Sequence, residues 1–326
     1  MRDKAIDITK AIGILLMILG HCAGIPEILR NFIFSFHMPL FFILSGYFYK
    51  PKEIKAIVAG NNKHLLKPYL ITSLVCIVLS FTAGGLDKAL AKVVGTIMSN
   101  GGWPHEMIGA NLPHIGPIWF LMALYWCKIF YEYLRRHAEN TLLWTFVIST
   151  IALVVGKYVI NLPFGILTGF CGMVFYAMGD YWRRMAPLSL NKSMMGGGLL
   201  VWMLCVWRAH LELASFDCSW YPISMFAAFV GTYATYLFAK RLPSSLEPVM
   251  CWIGQNTLLI LCYHTLVSFL ISNLNVHILT PIGYEIDGIS KSLLRSILSI
   301  ALPYIHVKIY PHLKSLCTSN PTQQQS

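Results

Sequence analysis

Apolar residues in this chain come in long unbroken runs, most of them closed by lysine, arginine, glycine or proline. A helix that crosses a bilayer needs about 20 such residues in succession. Runs of this kind fall near residues 6–24, 31–49, 69–83, 116–134, 141–157, 164–182, 194–208, 219–239, 254–272 and 291–308. The pattern predicts an all-α polytopic membrane protein with about ten transmembrane helices. The first run is the shortest signal, being cleanly apolar only from Ala11 to Cys22. Residues 1–314 then form one transmembrane domain, and the end SLCTSNPTQQQS, residues 315–326, reads as a disordered tail.

Composition agrees with this reading. Hydrophobic residues make up 56% of the 326 and charged residues only 12%, too few to cover a water-soluble domain. There are 25 Lys+Arg against 14 Asp+Glu, a net charge of +11. In a soluble chain that excess would point to nucleic acid. In a membrane protein it belongs to cytoplasmic loops facing anionic lipid, so no nucleic-acid partner is expected. With the N-terminus inside, most of the basic residues fall on the inner segments, which predicts both termini in the cytoplasm. The nine cysteines are scattered, without a CxxC pair or zinc-like spacing, so neither disulfides nor a metal site is expected. Two longer outer loops are predicted. One, near 84–115, carries His105, Glu106 and His114; the other, near 273–290, carries Glu285 and Asp287.

The chemistry begins with KAIGILLMILGH, Lys10 to His21. Eleven helical steps of about 100° bring the two side chains to nearly one face, roughly 16 Å apart. Asp7 shares that face. Ionisable groups in a bilayer are expensive, so each is a functional candidate. The plainer alternative is an Asp7–Lys10 pair at the inner interface, with the lysine snorkelling. His21 has no packing reason to be there. His37, in FIFSFHMPLFFILSGY, falls at a similar depth on the next span. A neutral imidazole there is either a proton acceptor or a buried histidine bonded to a neighbour. His64 and Lys67, in NNKHLLKPYL, stand at a cytoplasmic mouth, as a phosphate hold or simply as positive-inside charge. Asn256 and His264, in WIGQNTLLILCYH, lie eight residues apart and either bond another helix or touch a substrate.

Six segments in order, DITKAIGILLMILGH, FHMPLFFILSGYFYK, HLLKPYL, IWFLMALY, GMVFYAMGDYWRR and IGQNTLLILCYH, resemble the membrane acyltransferase 3 family, in particular its stand-alone branch related to fucose 4-O-acetylases. The resemblance runs from residue 3 to about 270. It implies a multi-pass enzyme of a bacterial inner membrane that moves acetyl from cytoplasmic acetyl-CoA to a hydroxyl of a lipid-linked or cell-surface carbohydrate, without a metal. The family's basic residue, ten residues, then histidine maps onto Lys10 and His21. Lys10, with His64 and Lys67, would serve the CoA side. His21 would act as general base or transient acyl carrier, with His37 and Asp7 as further catalytic candidates and Asn256 and His264 towards the substrate. Many members have Arg-x-x-Arg where this sequence has His64 and Lys67, and a glutamate after the WFL motif where it continues Met122, Ala123, Leu124, Tyr125. The C-terminal SGNH hydrolase-like domain frequent in the family is not in the sequence, so the expectation is a transferase that completes the step itself or passes the acyl group to a partner. A polysaccharide or lipid-linked-sugar transporter, using Lys, His and Asp as a path, is the alternative; it would call for internal repeats, and none is visible.

Overall fold

Helix ends in this chain are set by glycine, proline and charge, and they cut the apolar runs more finely than hydropathy alone. The computed structural model describes residues 3–101, 106–107, 110–111, 113–185, 192–209 and 211–318. Helix α1 spans Lys4–Gly20 and is capped by the Asp3 carboxylate, which accepts from the Ala5 N–H. The second apolar run is two helices, α2 (Glu27–Phe34) and α3 (His37–Tyr47), broken at Phe36, whose φ is −149°. Pro39 sits in the first turn of α3, where its missing N–H leaves no α3 bond unmade. Helix α4 (Ile54–Asn61) passes through a π-helical turn, Asn62–Leu66, into α5 (Lys67–Met98). Then come α6 (Trp119–His137), α7 (Thr141–Tyr158), α8 (Ile166–Arg184), α9 (Lys192–Arg208), α10 (Tyr221–Ala239), α11 (Glu247–Gln255), α12 (Thr257–Leu274) and α13 (Gly288–Thr318). Two short antiparallel ribbons complete the chain, β1 (Glu106–Met107) with β2 (Ala110–Asn111) and β3 (Leu211–Glu212) with β4 (Asp217–Cys218).

Among the described residues, six helices are long and apolar enough to cross a membrane by length and composition: Glu27–Tyr47, Ile54–Thr82, Thr141–Tyr158, Tyr221–Ala239, Thr257–Leu274 and Gly288–Tyr310. The count of ten read from hydropathy is not supported. The remaining four explain the difference. Helices α1 and α9 have 17 residues each. Helix α6 carries Lys128, Glu132, Arg135 and Arg136, and α8 ends on Asp180, Arg183 and Arg184. Yet α1, α6 and α8 each bury more than half of their residues. Their carboxylates, Asp7, Glu132 and Asp180, are buried within protein, which is where such groups are tolerated. The apolar helices face outward instead. Leu70, Ile71, Leu74 and Val78 on α5, and Leu293 and Ile297 on α13, are exposed rows suited to acyl chains.

The predicted loop over 84–115 is also corrected. Gly84 and Gly85, the latter with φ +71°, leave helical geometry and break α5 in two, and the second helical stretch runs on to Met98. His105 lies outside the described residues, as do residues 319–326 of the predicted tail; α13 itself continues to Thr318.

Glycines set the inner packing. A Cβ on Gly46 of α3 would strike the Tyr176 carbonyl, and one on Gly179 of α8 would strike that of Ile43. Gly254 of α11 lies equally tight on the Asp7 carbonyl of α1. Small residues of this kind let helix backbones meet inside a membrane. They explain part of FFILSGY, YAMGDY and WIGQN as packing rather than chemistry. Helix α1 is thereby enclosed by α3, α10, α11 and α12.

Candidate active site

The inner helices line two adjoining cavities. The larger, of about 640 Å³, has apolar walls that include Ile14, Phe41, Leu44, Phe120, Leu121 and Leu258. Lys10, Lys50, Lys52, His64 and Lys128 add a cluster of basic groups to its lining. The smaller, of about 40 Å³, is lined by His21 and His37 together with Trp119 and residues 211–214. Met17 and Met38 belong to both walls, so two flexible thioether side chains stand between the two spaces.

The mouth of the large cavity is held by buried ions. The Tyr49 hydroxyl donates to Glu132 Oε2 at 2.8 Å, and Arg136 Nε donates to Oε1 at 2.7 Å. Arg136 Nη2 also reaches the Lys52 carbonyl at 2.6 Å, and Arg183 Nη1 the Tyr49 carbonyl at 2.7 Å. Glu132 is only 1% exposed, so these partners are what make its burial tolerable. Burial, and then the bond to Glu132, push the Tyr49 phenol well above its ordinary pKa and keep it a neutral donor. A second buried carboxylate, Asp180, accepts from Tyr131 at 2.6 Å and pairs with Arg184 at 3.1 Å. The segment Tyr49–Lys52, which presents two of the mouth lysines, is therefore fixed in place. Lys10 lies over the Phe48 ring, 5.0 Å from its centroid.

At the other end the histidines are fixed by their Nδ1 atoms. His21 Nδ1 lies 2.8 Å from the Met17 carbonyl, and His37 Nδ1 lies 2.9 Å from the Ile33 carbonyl. A carbonyl oxygen can only accept, so Nδ1 carries the hydrogen in both rings and Nε2 keeps the lone pair. His264 follows the same logic. Its Nδ1 lies 3.1 Å from Ser299 Oγ, whose own hydrogen goes to the Arg295 carbonyl at 2.6 Å. The His21 and His264 rings meet edge to face at 5.7 Å, and Phe34 sits 6.0 Å from His21 and 4.8 Å from His37. Helix α13 clamps the turn that carries His21: Arg295 Nη2 donates to the His21 carbonyl, and Ser292 Oγ accepts from the Ala23 N–H at 2.8 Å. His37 and His264 are buried, whereas His21 stays exposed.

The structure thus brings His21, His37 and His264 together, and places Lys10 and His64 on the larger cavity. It does not bring Asp7 to the histidines. Asp7 is fourteen residues from His21 on one helix, roughly 21 Å away, and accepts from Gln255 Nε2 at 3.3 Å. Lys67 is exposed and does not line the cavity, whose basic groups include Lys50, Lys52 and Lys128 instead. Asn256 and His264 do not share a helix either, because the chain breaks between α11 and α12 at Asn256, whose Nδ2 donates to the Trp252 carbonyl at 2.8 Å. Sequence reasoning missed Glu132, Arg136 and the 211–214 segment. Among the described residues no group of three or more His, Cys, Asp or Glu could hold a metal ion.

A family model described as an acyltransferase domain matches residues 3–308. No curated protein and no solved structure matches the chain.

Proposed function

The chain belongs to the membrane acyltransferase 3 family, and from that premise we propose that it moves an acetyl group from cytoplasmic acetyl-CoA to a hydroxyl of a lipid-linked or cell-surface carbohydrate. The observation that carries this reading is the pair of cavities, one large with basic and apolar lining, the other small and lined by histidine, separated by Met17 and Met38. A nucleotide phosphate suits the lysine-lined mouth, and a pantetheine arm suits the apolar walls beyond it. Lys10 and His21, roughly 16 Å apart along α1, then mark the two ends of the donor's path. On this reading the lysine-rich end and both termini lie in the cytoplasm, and the membrane is a bacterial inner membrane.

His21 supplies the proton acceptor. Its Nε2 lone pair takes the hydrogen of the acceptor hydroxyl as that oxygen bonds to the thioester carbonyl carbon. The C–S bond breaks, the thiolate leaves, and the proton on His21 passes to it. A transient acetyl on Nε2 would use the same atom. His37, which lines the small cavity with His21, and His264, whose ring meets that of His21, orient the ring or the acceptor. Asp7 keeps a structural place against α11. The transporter alternative gains nothing from the geometry, because Asp7 lies roughly 21 Å from His21 and no continuous Lys–His–Asp path results.

The test is transfer of radiolabelled acetyl from acetyl-CoA to membrane glycolipid or glycan, in membranes with and without the protein. Labelling that depends on the protein is expected. Absence of labelling in the presence of the native host's glycan would contradict the reading.

A further inference from the structure

The second half of α5 stays within the bundle. After the break at Gly84 and Gly85 it returns alongside the first half, and the Tyr69 hydroxyl in the first turn donates to the Thr96 carbonyl in the last turn at 2.6 Å. On one straight helix those two residues would stand roughly 40 Å apart. The returning chain delivers Ser99, Asn100 and Gly101 to the inner packing, where the Asn100 carbonyl accepts from the Ile115 N–H at 2.8 Å. Ser99 and Asn100 are buried. Gly101 lies against the Trp119 indole, and a Cβ there would collide with the ring. Gly101 and Trp119 line the small cavity with His21 and His37, and Leu211, Leu213 and Ala214, all buried, add to its apolar wall. The space they leave is about 40 Å³. One water occupies about 10 to 15 Å³ of such space, so the cavity holds about three water-sized groups. An acetyl group, with its carbonyl carbon, oxygen and methyl, is of that size.

We propose that the small cavity is the acyl pocket, and that Trp119, with Met17 and Met38, sets the length of the acyl chain this protein transfers. The proposal rests on the acyl-transfer reading and deepens it by naming the residues that choose among donors. A thioester whose arm fills the large cavity presents its acyl end first, past Met17 and Met38, which belong to both walls. Its carbonyl carbon stops beside His21, and any chain beyond the carbonyl runs towards Trp119. The methionines are flexible and swing aside to pass the group. The indole has no such freedom, because the Gly101 backbone lies against it. One methylene more in a filled pocket changes selectivity by about 10-fold to 200-fold, and a butyryl group brings two. The bonds made and broken remain those of the transfer step.

The test uses the full-length protein in detergent, with glycolipid extracted from the native host as acceptor and acetyl-CoA, propionyl-CoA, butyryl-CoA and hexanoyl-CoA as donors. The readout is kcat/KM for each donor relative to acetyl-CoA, a ratio that loss of folded protein does not move. The wild type is expected to use butyryl-CoA about 10²-fold less well than acetyl-CoA. Trp119→Leu should narrow that gap about 10-fold or more, and Met38→Ala by a smaller factor. Trp119→Phe, which keeps a ring against Gly101, should fall between Trp119→Leu and the wild type, and it carries the test if Trp119→Leu does not fold. Equal use of acetyl-CoA and butyryl-CoA by the wild type, or variants at Trp119 and Met38 that keep the wild-type ratio, would overturn the proposal and leave the transferase reading intact. No transfer from any of these donors by the wild type would overturn the functional reading and this inference together.

Discussion

The two ends of the protein solve opposite problems. The lysine-lined end has to hold a large, flexible, highly charged molecule, and it does so with a wide cavity and several separated cations on segments braced by buried Glu132 and Asp180. The histidine end has to place a few atoms, and it does so in about 40 Å³ with rings locked through Nδ1. The first end spreads its binding over many groups, each individually replaceable. The second concentrates its chemistry on one nitrogen. Substitutions at the first should therefore act on donor affinity, and at the second on turnover.

Glu132→Ala is the harshest way to break that contrast. It leaves the buried Tyr49 hydroxyl without its acceptor and removes the anchor of the half-exposed Arg136, and a buried polar group left unsatisfied costs about 1 to 3 kcal/mol. A thermal melt in detergent should show the loss, and any surviving protein should show a raised donor KM because Lys50 and Lys52 are no longer held. His37→Ala comes next. It should lower kcat roughly 10²-fold with an unchanged donor KM, read by steady-state transfer at varied acetyl-CoA. Lys52→Ala should do the reverse, raising the donor KM about twofold to fivefold at low ionic strength and converging with wild type as salt screens the mouth.

The smallest effect belongs to Lys92, on the extension of α5 beyond the apolar stretch, where it donates to the His114 carbonyl at 2.7 Å and faces Phe269. Burial lowers its pKa to about 8, below the value in an unfolded chain. The folded state therefore binds fewer protons than the unfolded state above that pH, so stability should rise as pH climbs from about 8 towards 10. Lys92→Met should flatten that slope in melts recorded across the same pH range.

The histidine end was the more legible in sequence, because periodicity alone puts Lys10 and His21 on one face and His37 at matching depth. What was hidden there is the 211–214 segment of the small cavity's wall, because a two-residue strand such as β3 has no period to detect. At the lysine end the choice fell on Lys67 from its position before a span, and that residue is exposed and off the cavity wall, while Lys50 and Lys52 look like ordinary topology signals and line the cavity together with Lys128. The helix count failed for a related reason. Hydropathy cannot tell a lipid-facing helix from one such as α1 or α8, whose apolar residues pack against protein and whose acids are buried. The stretch from 84 was read as loop, whereas after the break at Gly84 and Gly85 a second helical stretch continues to Met98.

The most direct test of the account is steady-state acetyl transfer by His21→Ala at matched expression, with acetyl-CoA varied. The account predicts a kcat lower by roughly 10² to 10⁴-fold with the donor KM unchanged, because the lysine-lined cavity is untouched. Transfer at the wild-type rate, or a defect confined to donor KM, would contradict it and remove His21 from the chemistry.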